Sequence, residues 1–316
     1  MAAAAPLVAT ADAPIPEGAR AFWYEGAGGA RLRAAIVPCE GPARGSVVLS
    51  PGRTEPIEKY FETAGELQAR GFFVLLHDWR GQGLSHRVLP DRLKGHAAGH
   101  GDFLEDFRAL LAEAQDQLPQ PWVALGHSMG GALTALDLAR ADQPFAAALL
   151  TAPMMGLTAV RQLPRAAHLI ARAAQGIGRA GDYVVKGAFN PMLGPFEGNI
   201  LTHDARRYER YRAQLAACPD LALGGVTWGW LAFALGAGVA LSLLAAARAV
   251  DIPVTVLAAG EDQLVLNAPS RAYAGRLRQG RYAEIAGAYH EMLMETDARR
   301  ALVWREFDDL LARAGV

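Results

Sequence analysis

The sequence predicts an α/β protein with a mostly parallel central sheet, helices on both faces of the sheet and an inserted helical cap. Short apolar runs rich in β-branched and aromatic residues alternate with longer amphipathic segments, which is the pattern of βαβ units. The chain has 316 residues, 52% hydrophobic and 20% charged, so it has enough apolar surface to fill one large core. The alternation stops at about residue 152 and resumes after Asp251, which indicates an insertion into the sheet.

This alternation predicts the individual elements. The strands are residues 31–37, 46–49, 72–77, 122–125, 146–150, 253–258 and 281–285. The helices are residues 58–69, 102–117, 129–141, 268–275 and 297–312. Helices between consecutive strands predict a doubly wound sheet. The core is therefore assigned to residues 21–151 and 251–316, the cap to residues 152–250, and a poorly ordered, Ala-rich leader to residues 1–20.

Charge and cysteine content exclude several classes of protein. With 31 basic and 32 acidic residues the formal net charge is −1, so no overall field draws the chain toward a polyanion, and nucleic acid is not an expected partner. Cys39 and Cys218 are too few for a disulfide framework and are expected to be free thiols. The leader lacks the basic region and the long apolar run of a secretory signal, which predicts a cytoplasmic protein. No motif implies a metal or an organic cofactor.

Residues 221–247 contain no charged side chain and are long enough to cross a bilayer as one helix. Glycine interrupts this stretch repeatedly, Trp228 and Trp230 lie inside it, and neither end carries a cluster of Lys or Arg. A membrane-spanning helix instead places its tryptophans at the two interfaces and basic residues on the cytoplasmic side. The stretch is therefore predicted to form a pair of short apolar helices within a soluble fold.

A pentapeptide of the form G-x-S-x-G, residues 126–130, lies between the predicted strand WVAL and the predicted helix GALTALDLA. In this context the pattern is typical of a nucleophile elbow, a sharp strand-to-helix turn that exposes a serine hydroxyl above the edge of a sheet. Glycines on both sides permit the close backbone packing that such a turn needs. Ser128 is therefore the predicted nucleophile.

A serine hydroxyl is a weak nucleophile at neutral pH, so it needs a histidine base and an acid that orients the base. Of the histidines that follow Ser128, only His290 lies outside the predicted cap, in a loop between the last strand and the last helix. His290 is the predicted base. Asp262 follows the strand VTVLAAG and is the predicted acid, in preference to Glu261 beside it and to Asp251, which precedes the strand.

The tetrahedral intermediate of acyl transfer needs hydrogen-bond donors for its oxyanion. The backbone N–H of Met129, directly after the nucleophile, is one predicted donor. The loop after the strand 46–49 contains Gly52, which lets the backbone turn inward, and the backbone N–H of Arg53 is the second predicted donor. The Arg53 side chain is expected to be a surface charge or a partner of Glu55 rather than a substrate contact.

Several runs of sequence resemble the lysophospholipase and monoacylglycerol lipase family of α/β-hydrolases. They are GHSMGG at residues 126–131, HDWRGQGLS at residues 77–85, and GEDQLV and AYHEMLME around the predicted acid and base. PGRTEPIEKY, TAPMMGL and the cap run LTHDARRYERYRAQLAACPDLALGGVTWGWL add to the likeness, which covers most of the chain. The bacterial lysophospholipase branch is the most similar, because the oxyanion loop has PGR where the monoacylglycerol lipase branch commonly has His-Gly.

The resemblance implies an α/β-hydrolase fold, a triad of Ser128, Asp262 and His290, oxyanion donors at Arg53 and Met129, and a cap over an acyl-chain pocket. It implies hydrolysis of a lipid ester with one acyl chain, a lysophospholipid or a monoacylglycerol, through an acyl-enzyme. Acyl transfer to an alcohol, peptidase activity on the same triad, and a catalytically silent ligand-binding protein are alternatives that the residues leave open.

The predicted cap bears on the substrate and on membrane contact. The side chains suited to line an apolar tunnel for an acyl chain are Trp228, Trp230, Leu231 and Phe233. Beside an apolar pair, Leu169 and Ile170, arginine recurs near helical spacing, at positions Arg161, Arg165, Arg172 and Arg179. Such a face is expected to meet a phospholipid surface, with a solvated charged face as the alternative. The protein is thus expected in the cytoplasm, with peripheral contact to the membrane through the cap.

Overall fold

The computed structural model describes residues 3–185 and 194–316. In this part of the chain one sheet contains the strands β1 (Arg20–Gly26), β2 (Ala30–Val37), β3 (Gly45–Ser50), β4 (Phe72–His77), β5 (Trp122–His127), β6 (Phe145–Thr151), β7 (Val254–Ala259) and β8 (Gly280–Ile285). The described α-helices are α1 (Phe61–Ala69), α2 (Gly101–Ala114), α3 (Ser128–Asp137), α4 (Pro164–Gly176), α5 (Ala205–Ala217), α6 (Trp228–Ser242), α7 (Leu244–Arg248), α8 (Asn267–Ala274) and α9 (Asp297–Ala314). The predicted α/β fold is confirmed, with β2 to β8 at the predicted positions.

The strand order across the sheet is β1-β2-β4-β3-β5-β6-β7-β8. β2 pairs antiparallel with both β1 and β4, and from β4 to β8 all neighbouring strands are parallel. After β3 the chain adds β4 on one side and then crosses to add β5 on the other. This reversal is a topological switch point, where the loops after β3 and β5 meet at the carboxyl edge of the sheet. A ligand site is expected at that edge.

The central strands are buried along their whole length. β3 (GSVVLS), β5 (WVALGH) and β7 (VTVLAA) have no exposed residue, as expected for parallel strands that helices cover on both faces. α3 packs against β5 and β6, and α9 packs against β6 and β7. The core between the sheet and these helices therefore holds the carboxyl ends of the strands in fixed relative positions.

The prediction lacks β1, which pairs with β2 at the edge of the sheet. Phe22 and Tyr24 are buried, whereas Ala21, Trp23 and Glu25 around them are more exposed. A period of two is typical of a strand with one covered face. The signal is therefore present in the sequence, but it is short and stands outside the βαβ alternation.

The leader, expected to be poorly ordered, is hydrogen-bonded to the sheet from residue 3 onward. The Trp23 N–H donates to Ala3 O at 2.9 Å, and the Ala5 N–H donates to Ala21 O at 3.0 Å. Farther along, the Arg33 guanidinium donates to the carbonyl of Pro6 at 3.0 Å. These contacts correct the prediction for the described part of the leader, because the edge of β1 offers backbone groups that the leader satisfies. Residues 1 and 2 lie outside the described residues.

Residues 152–253, here called the β6–β7 insertion, contain α4, α5, α6 and α7. Residues 186–193 of the predicted cap lie outside the described residues. The charge-free stretch is divided, because α6 ends at Ser242 and Leu243 is extended before α7 begins. Among the helices of the described residues, none is long and apolar enough to cross a membrane. α4 ends at Gly176, which is consistent with the poor helix propensity of glycine.

Candidate active site

The turn between β5 and α3 carries Ser128. Its φ of 50° lies in the left-handed region, which a residue with a side chain adopts only where the surrounding structure enforces it. A Cβ at Gly130 would lie 2.2 Å from Ser50 O, and a Cβ at Gly126 would lie 2.8 Å from the Cα of Gly131. Backbone contacts on both sides of the turn therefore require the two glycines of the pentapeptide.

Ser128, His290 and Asp262 form a continuous series of hydrogen bonds. His290 Nε2 lies 2.9 Å from Ser128 Oγ, and His290 Nδ1 lies 2.7 Å from Asp262 Oδ2. With Asp262 ionised, Nδ1 donates to the carboxylate and Nε2 is left to accept the serine proton. Asp262 Oδ1 accepts the backbone N–H groups of Leu264 and Val265 at 2.8 and 2.9 Å, which fixes the carboxylate. The structure thus brings together the three residues predicted as nucleophile, base and acid.

The histidine and the aspartate shift each other's protonation. Burial alone would raise the pKa of Asp262, but the His290 ring and the two backbone N–H groups hold the pKa of this carboxyl below its ordinary value. Burial alone would lower the pKa of His290, but the charge and the hydrogen bond of Asp262 raise it above the ordinary value of 6.5. Asp262 therefore stays ionised while His290 becomes a stronger proton acceptor.

Two backbone N–H groups near Ser128 are candidates to bind an oxyanion. Met129 is the second residue of α3, so its N–H belongs to the first turn, where backbone donors have no partner within the helix. Arg53 lies in the loop after β3, which pairs with β5 so that Ser50 is opposite Gly126. Among the described residues no hydrogen bond from the Arg53 N–H is found. Both predicted donors are therefore placed beside the elbow.

A buried carboxylate holds the loop after β3, residues 51–55, which is called the oxyanion loop after the donor predicted in it. Glu55 Oε2 accepts the Gly52 N–H and, at 2.7 Å, the Tyr60 hydroxyl, while Oε1 accepts the Lys59 ammonium at 2.7 Å. The Glu55 side chain is only 2% exposed. Sequence reasoning missed this support. The signal that could have revealed it is the pair of opposite charges four residues apart in PGRTEPIEKY.

Side chains from two other segments, the one after β4 and α5, also hold this loop. Thr54 has a φ of 68°, and its N–H donates to Gln82 Oε1 at 2.6 Å. The Tyr211 hydroxyl of α5 donates to Thr54 O, and Trp79 Nε1 donates to Pro51 O at 2.8 Å. The strained turn is thus fixed from both the core and the β6–β7 insertion.

Lys59 links the oxyanion loop to the segment that carries the base. Its Nζ lies 2.6 Å from Glu291 Oε1, and Glu291 directly follows His290. Burial opposes the charge of Lys59, but the two carboxylates raise its pKa, so it stays an ammonium. Burial also opposes ionisation of Glu55, yet Lys59 and the hydrogen bonds lower its pKa to about 2. Burial raises the pKa of Glu291. Lys59 therefore binds two carboxylates, of which Glu55 holds the negative charge more strongly.

The second histidine near the elbow, His127, does not compete as a base. Its Nδ1 lies 3.1 Å from Thr151 O, and its ring lies 4.9 Å from that of His290. Burial lowers the pKa of His127 to about 4, so it is neutral at physiological pH and bonded to the backbone of β6. It packs behind the triad rather than taking part in proton transfer.

The Arg53 side chain differs from its prediction as a surface charge or a partner of Glu55. The oxygens of Glu55 are already taken by other donors, so the guanidinium points toward the β6–β7 insertion. There its Nη2 donates to Gly224 O, and its Cζ lies 5.3 Å from the centre of the Trp230 ring. Burial lowers the pKa of Arg53 to about 10, which leaves it charged at physiological pH.

The residues predicted to line an acyl pocket lie on α6 but face two directions. Trp230 and Phe233 belong to the main core, where Phe233 lies 5.0 Å from the ring of Phe103. Leu231 and Trp228 pack in a separate cluster with Ala171 of α4. The structure therefore does not bring all four to one cavity wall, and it places Trp230 beside the oxyanion loop through Arg53.

An apolar cavity of about 510 Å³ lies between α4, α6 and α8. Its lining includes Met155, Leu169, Leu235 and Val239. The residue before Met155 donates its N–H to Ser128 O at 2.9 Å, so the cavity begins close to the elbow. In residues 3–185 and 194–316 no group of three or more His, Cys, Asp or Glu is placed to hold a metal ion.

Comparisons with known proteins bear on the family and the fold. The family model described as serine aminopeptidase, S33, matches residues 41–297. Lysophospholipase L2 of Escherichia coli K12 is 36% identical over 84% of this chain and 80% of that protein. Monoacylglycerol lipase of Mycolicibacterium smegmatis is 27% identical over 88% of this chain and 92% of that protein. The structure of a soluble variant of Saccharomyces cerevisiae monoglyceride lipase superposes with a TM-score of 0.75 at 19% identity. The superposition covers 98% of this chain and 99% of that one, so the two proteins have the same fold.

Proposed function

Because this chain belongs to the serine aminopeptidase S33 family, we propose that it is a serine hydrolase that cleaves the carboxylic ester of a lipid with one acyl chain. The observation that carries the proposal is the hydrogen-bonded series from Ser128 through His290 to Asp262. This series, placed beside two backbone donors, has the components needed to form and hydrolyse an acyl-enzyme.

Each component has a role in the proposed reaction. Ser128 Oγ attacks the ester carbonyl while His290 Nε2 takes its proton, and Asp262 stabilises the imidazolium that forms. The N–H groups of Met129 and Arg53 bind the oxyanion of the tetrahedral intermediate. His290 then protonates the leaving alcohol, and in the second half it activates water to release the fatty acid.

The substrate class follows from the relatives and from the surroundings of the site. Two similar proteins are named lysophospholipase L2 and monoacylglycerol lipase, and both names denote lipids with one acyl chain. The β6–β7 insertion serves as a cap, since Tyr211 and Gly224 of this segment contact the loop that carries Arg53. The apolar cavity between α4, α6 and α8, which begins close to the elbow, receives the acyl chain.

An aminopeptidase activity, which the family description also names, is disfavoured by charge. An N-terminal amine needs a free acidic group near the nucleophile. Asp262 is bound to His290, the neighbouring carboxylates Glu55 and Glu291 are bound to Lys59, and Arg53 is a cation without a carboxylate partner among the described residues. This cation repels an ammonium group.

The first test is hydrolysis of a p-nitrophenyl ester series from short to long acyl chains, followed by fatty-acid release from lysophosphatidylcholine. Activity is expected to rise with chain length and to vanish in Ser128→Ala. Ser46→Ala is the matched control, since Ser46 lies near the amino end of β3, at the edge of the sheet opposite the elbow. Turnover of the acetate and butyrate esters alone would contradict a lipid substrate but would leave the esterase mechanism in place. Turnover that survives Ser128→Ala would refute the mechanism.

The cap is also proposed to contact membranes through α4. Leu169 and Ile170 are 71% and 58% exposed on this helix. Arg165 and Arg172 are exposed on the same helix and form no ion pair with a described residue. An exposed apolar face flanked by unpaired arginines fits an anionic phospholipid surface.

Charge reversal of this face tests the contact. Arg165→Glu/Arg172→Glu is expected to weaken binding to vesicles that contain phosphatidylglycerol, because each lost arginine removes about 1 kcal/mol of attraction near the surface. Arg278→Glu/Arg305→Glu changes the same net charge at exposed positions away from α4 and is the control. Equal binding by the two variants would contradict a contact through α4.

A further inference from the structure

The guanidinium of Arg53 is a cation without an acidic partner among the described residues. Nη2 donates to Gly224 O, but the buried Nε has no hydrogen-bond partner. Burial lowers the pKa of Arg53, and no carboxylate of a described residue offsets this burial. A buried donor left unpaired is costly, so this side chain is held ready for an acceptor that no described residue supplies.

Two other buried arginines show how such a charge is compensated in this protein. Arg33 pairs with Glu58 and Asp78 at 2.7 Å each. Arg87 has no carboxylate partner among the described residues and its Nε is also unpaired there, but its two terminal nitrogens donate to the carbonyls of four residues. Arg53 donates to one carbonyl of a described residue. Of these three arginines, Arg53 has the fewest acceptors.

The neighbouring residues leave room for the guanidinium. A Cβ at Gly95 would lie 2.5 Å from Arg53 Nη2, so the absence of a side chain there is what admits the arginine. The Trp230 ring supports the guanidinium at 5.3 Å. Arg53 Nη1 forms no hydrogen bond with a described residue and, unlike Nε, is not fully buried, so a ligand can reach the guanidinium through it.

The position of Arg53 defines what it can bind. Its backbone N–H is a proposed donor to the ester oxyanion, so its guanidinium lies one side-chain length from the reacting carbonyl. In a lysophospholipid the phosphate and the ester carbonyl are separated by the glycerol backbone, a span comparable to an extended arginine side chain. Guanidinium Nε and Nη groups bind phosphate oxygens in pairs.

We propose that the Arg53 side chain binds the phosphate of a lysophospholipid headgroup and so selects phospholipid over neutral monoacylglycerol. The inference rests on the proposed ester hydrolysis at Ser128. The phosphate accepts a hydrogen bond from Nη1 and neutralises the cation within the site. A monoacylglycerol has no phosphate and leaves the cation uncompensated, so it gains nothing from this subsite.

The test is a ratio of kcat/KM values for two substrates with the same acyl chain, palmitoyl lysophosphatidylglycerol and monopalmitoylglycerol, in the same neutral detergent micelles. Arg53→Met keeps the backbone N–H that both substrates use, so the ratio isolates the phosphate contact. We expect the ratio of phospholipid to monoacylglycerol to fall roughly ten- to a hundredfold, the range for a hydrogen bond to a charged group.

A second variant keeps the test valid if Arg53→Met does not fold. Gly95→Ala adds a Cβ against the guanidinium and is expected to lower the same ratio, whereas Gly99→Ala, whose Cβ meets nothing within 4 Å, is expected to leave it unchanged. A ratio unchanged in Arg53→Met, or turnover of the monoacylglycerol alone by the wild-type protein, overturns the subsite but not the hydrolase. Activity that persists in Ser128→Ala refutes the proposed function itself.

Discussion

Replacing Lys59 with methionine would leave an ionised carboxylate without its cation inside the protein. The Lys59 ammonium lies 2.7 Å from Glu55 and 2.6 Å from Glu291, and the three side chains are 1%, 2% and 6% exposed. Removing one partner of a buried ion pair costs about 3–5 kcal/mol, because the remaining charge has lost its compensation but not its desolvation. Lys59→Met is therefore expected to lower the free energy of unfolding by that amount near neutral pH.

The pKa of Glu55 determines how the stability lost in Lys59→Met changes with pH. In the native protein burial raises the pKa of Glu55, but Lys59 and hydrogen bonds lower it to about 2, below its ordinary value of 4.5. Native Glu55 thus adds stability above about pH 4.5 that is lost as the pH falls toward 2. In Lys59→Met burial dominates and the folded pKa rises above the unfolded value. The loss in the free energy of unfolding is then present at neutral pH and becomes smaller as protonation neutralises Glu55. The free energies of unfolding of the two proteins therefore converge at acid pH.

Urea unfolding of both proteins at about pH 7 and about pH 4.5 measures the difference in their free energies of unfolding. The comparison requires that the slope of this free energy against urea concentration is the same for both proteins. Lys94→Met is the control, since Lys94 lies 5.2 Å over the Tyr183 ring and pairs with no carboxylate of a described residue. A loss under about 1 kcal/mol at neutral pH would refute the buried ion pair. A loss that stays constant between the two pH values would refute the assignment of the penalty to Glu55.

Two further variants test the triad and the elbow. Burial lowers the pKa of His290 less than Asp262 raises it, so kcat/KM of the wild-type protein should decline as the pH falls through a value above 6.5. Asp262→Asn should move this acidic limb of the pH profile to lower pH and reduce kcat about 10⁴-fold. An acidic limb that does not move would contradict the pairing of His290 with Asp262. Gly130→Ala puts a Cβ 2.2 Å from Ser50 O, so it should lower the free energy of unfolding in urea by about 1–3 kcal/mol and remove most of the activity. Gly65→Ala is the control, because its Cβ meets nothing within 4 Å. Equal stability and activity of the two variants would show that the elbow tolerates a side chain at Gly130.

The parts of the site that sequence reasoning predicts are those with local signals. Ser128 is marked by a pentapeptide between a buried strand and a helix, and Asp262 and His290 by their positions after β7 and β8. Glu55, Lys59 and Glu291 were missed as a cluster. The Lys59–Glu291 contact joins residues 232 positions apart, and no local pattern reports a contact of that separation.

The sequence by itself determined the α/β fold, the order of the parallel strands along the chain and the chemistry at the elbow, because apolar periodicity and glycine spacing are local consequences of burial and close packing. The tertiary structure alone decided which way Arg53 points, since the competing donors to Glu55 are recognised only once the loop is folded. It alone divided the pocket candidates of α6 between two clusters, because a helix that is apolar all round carries no periodic signal of which face meets which neighbour.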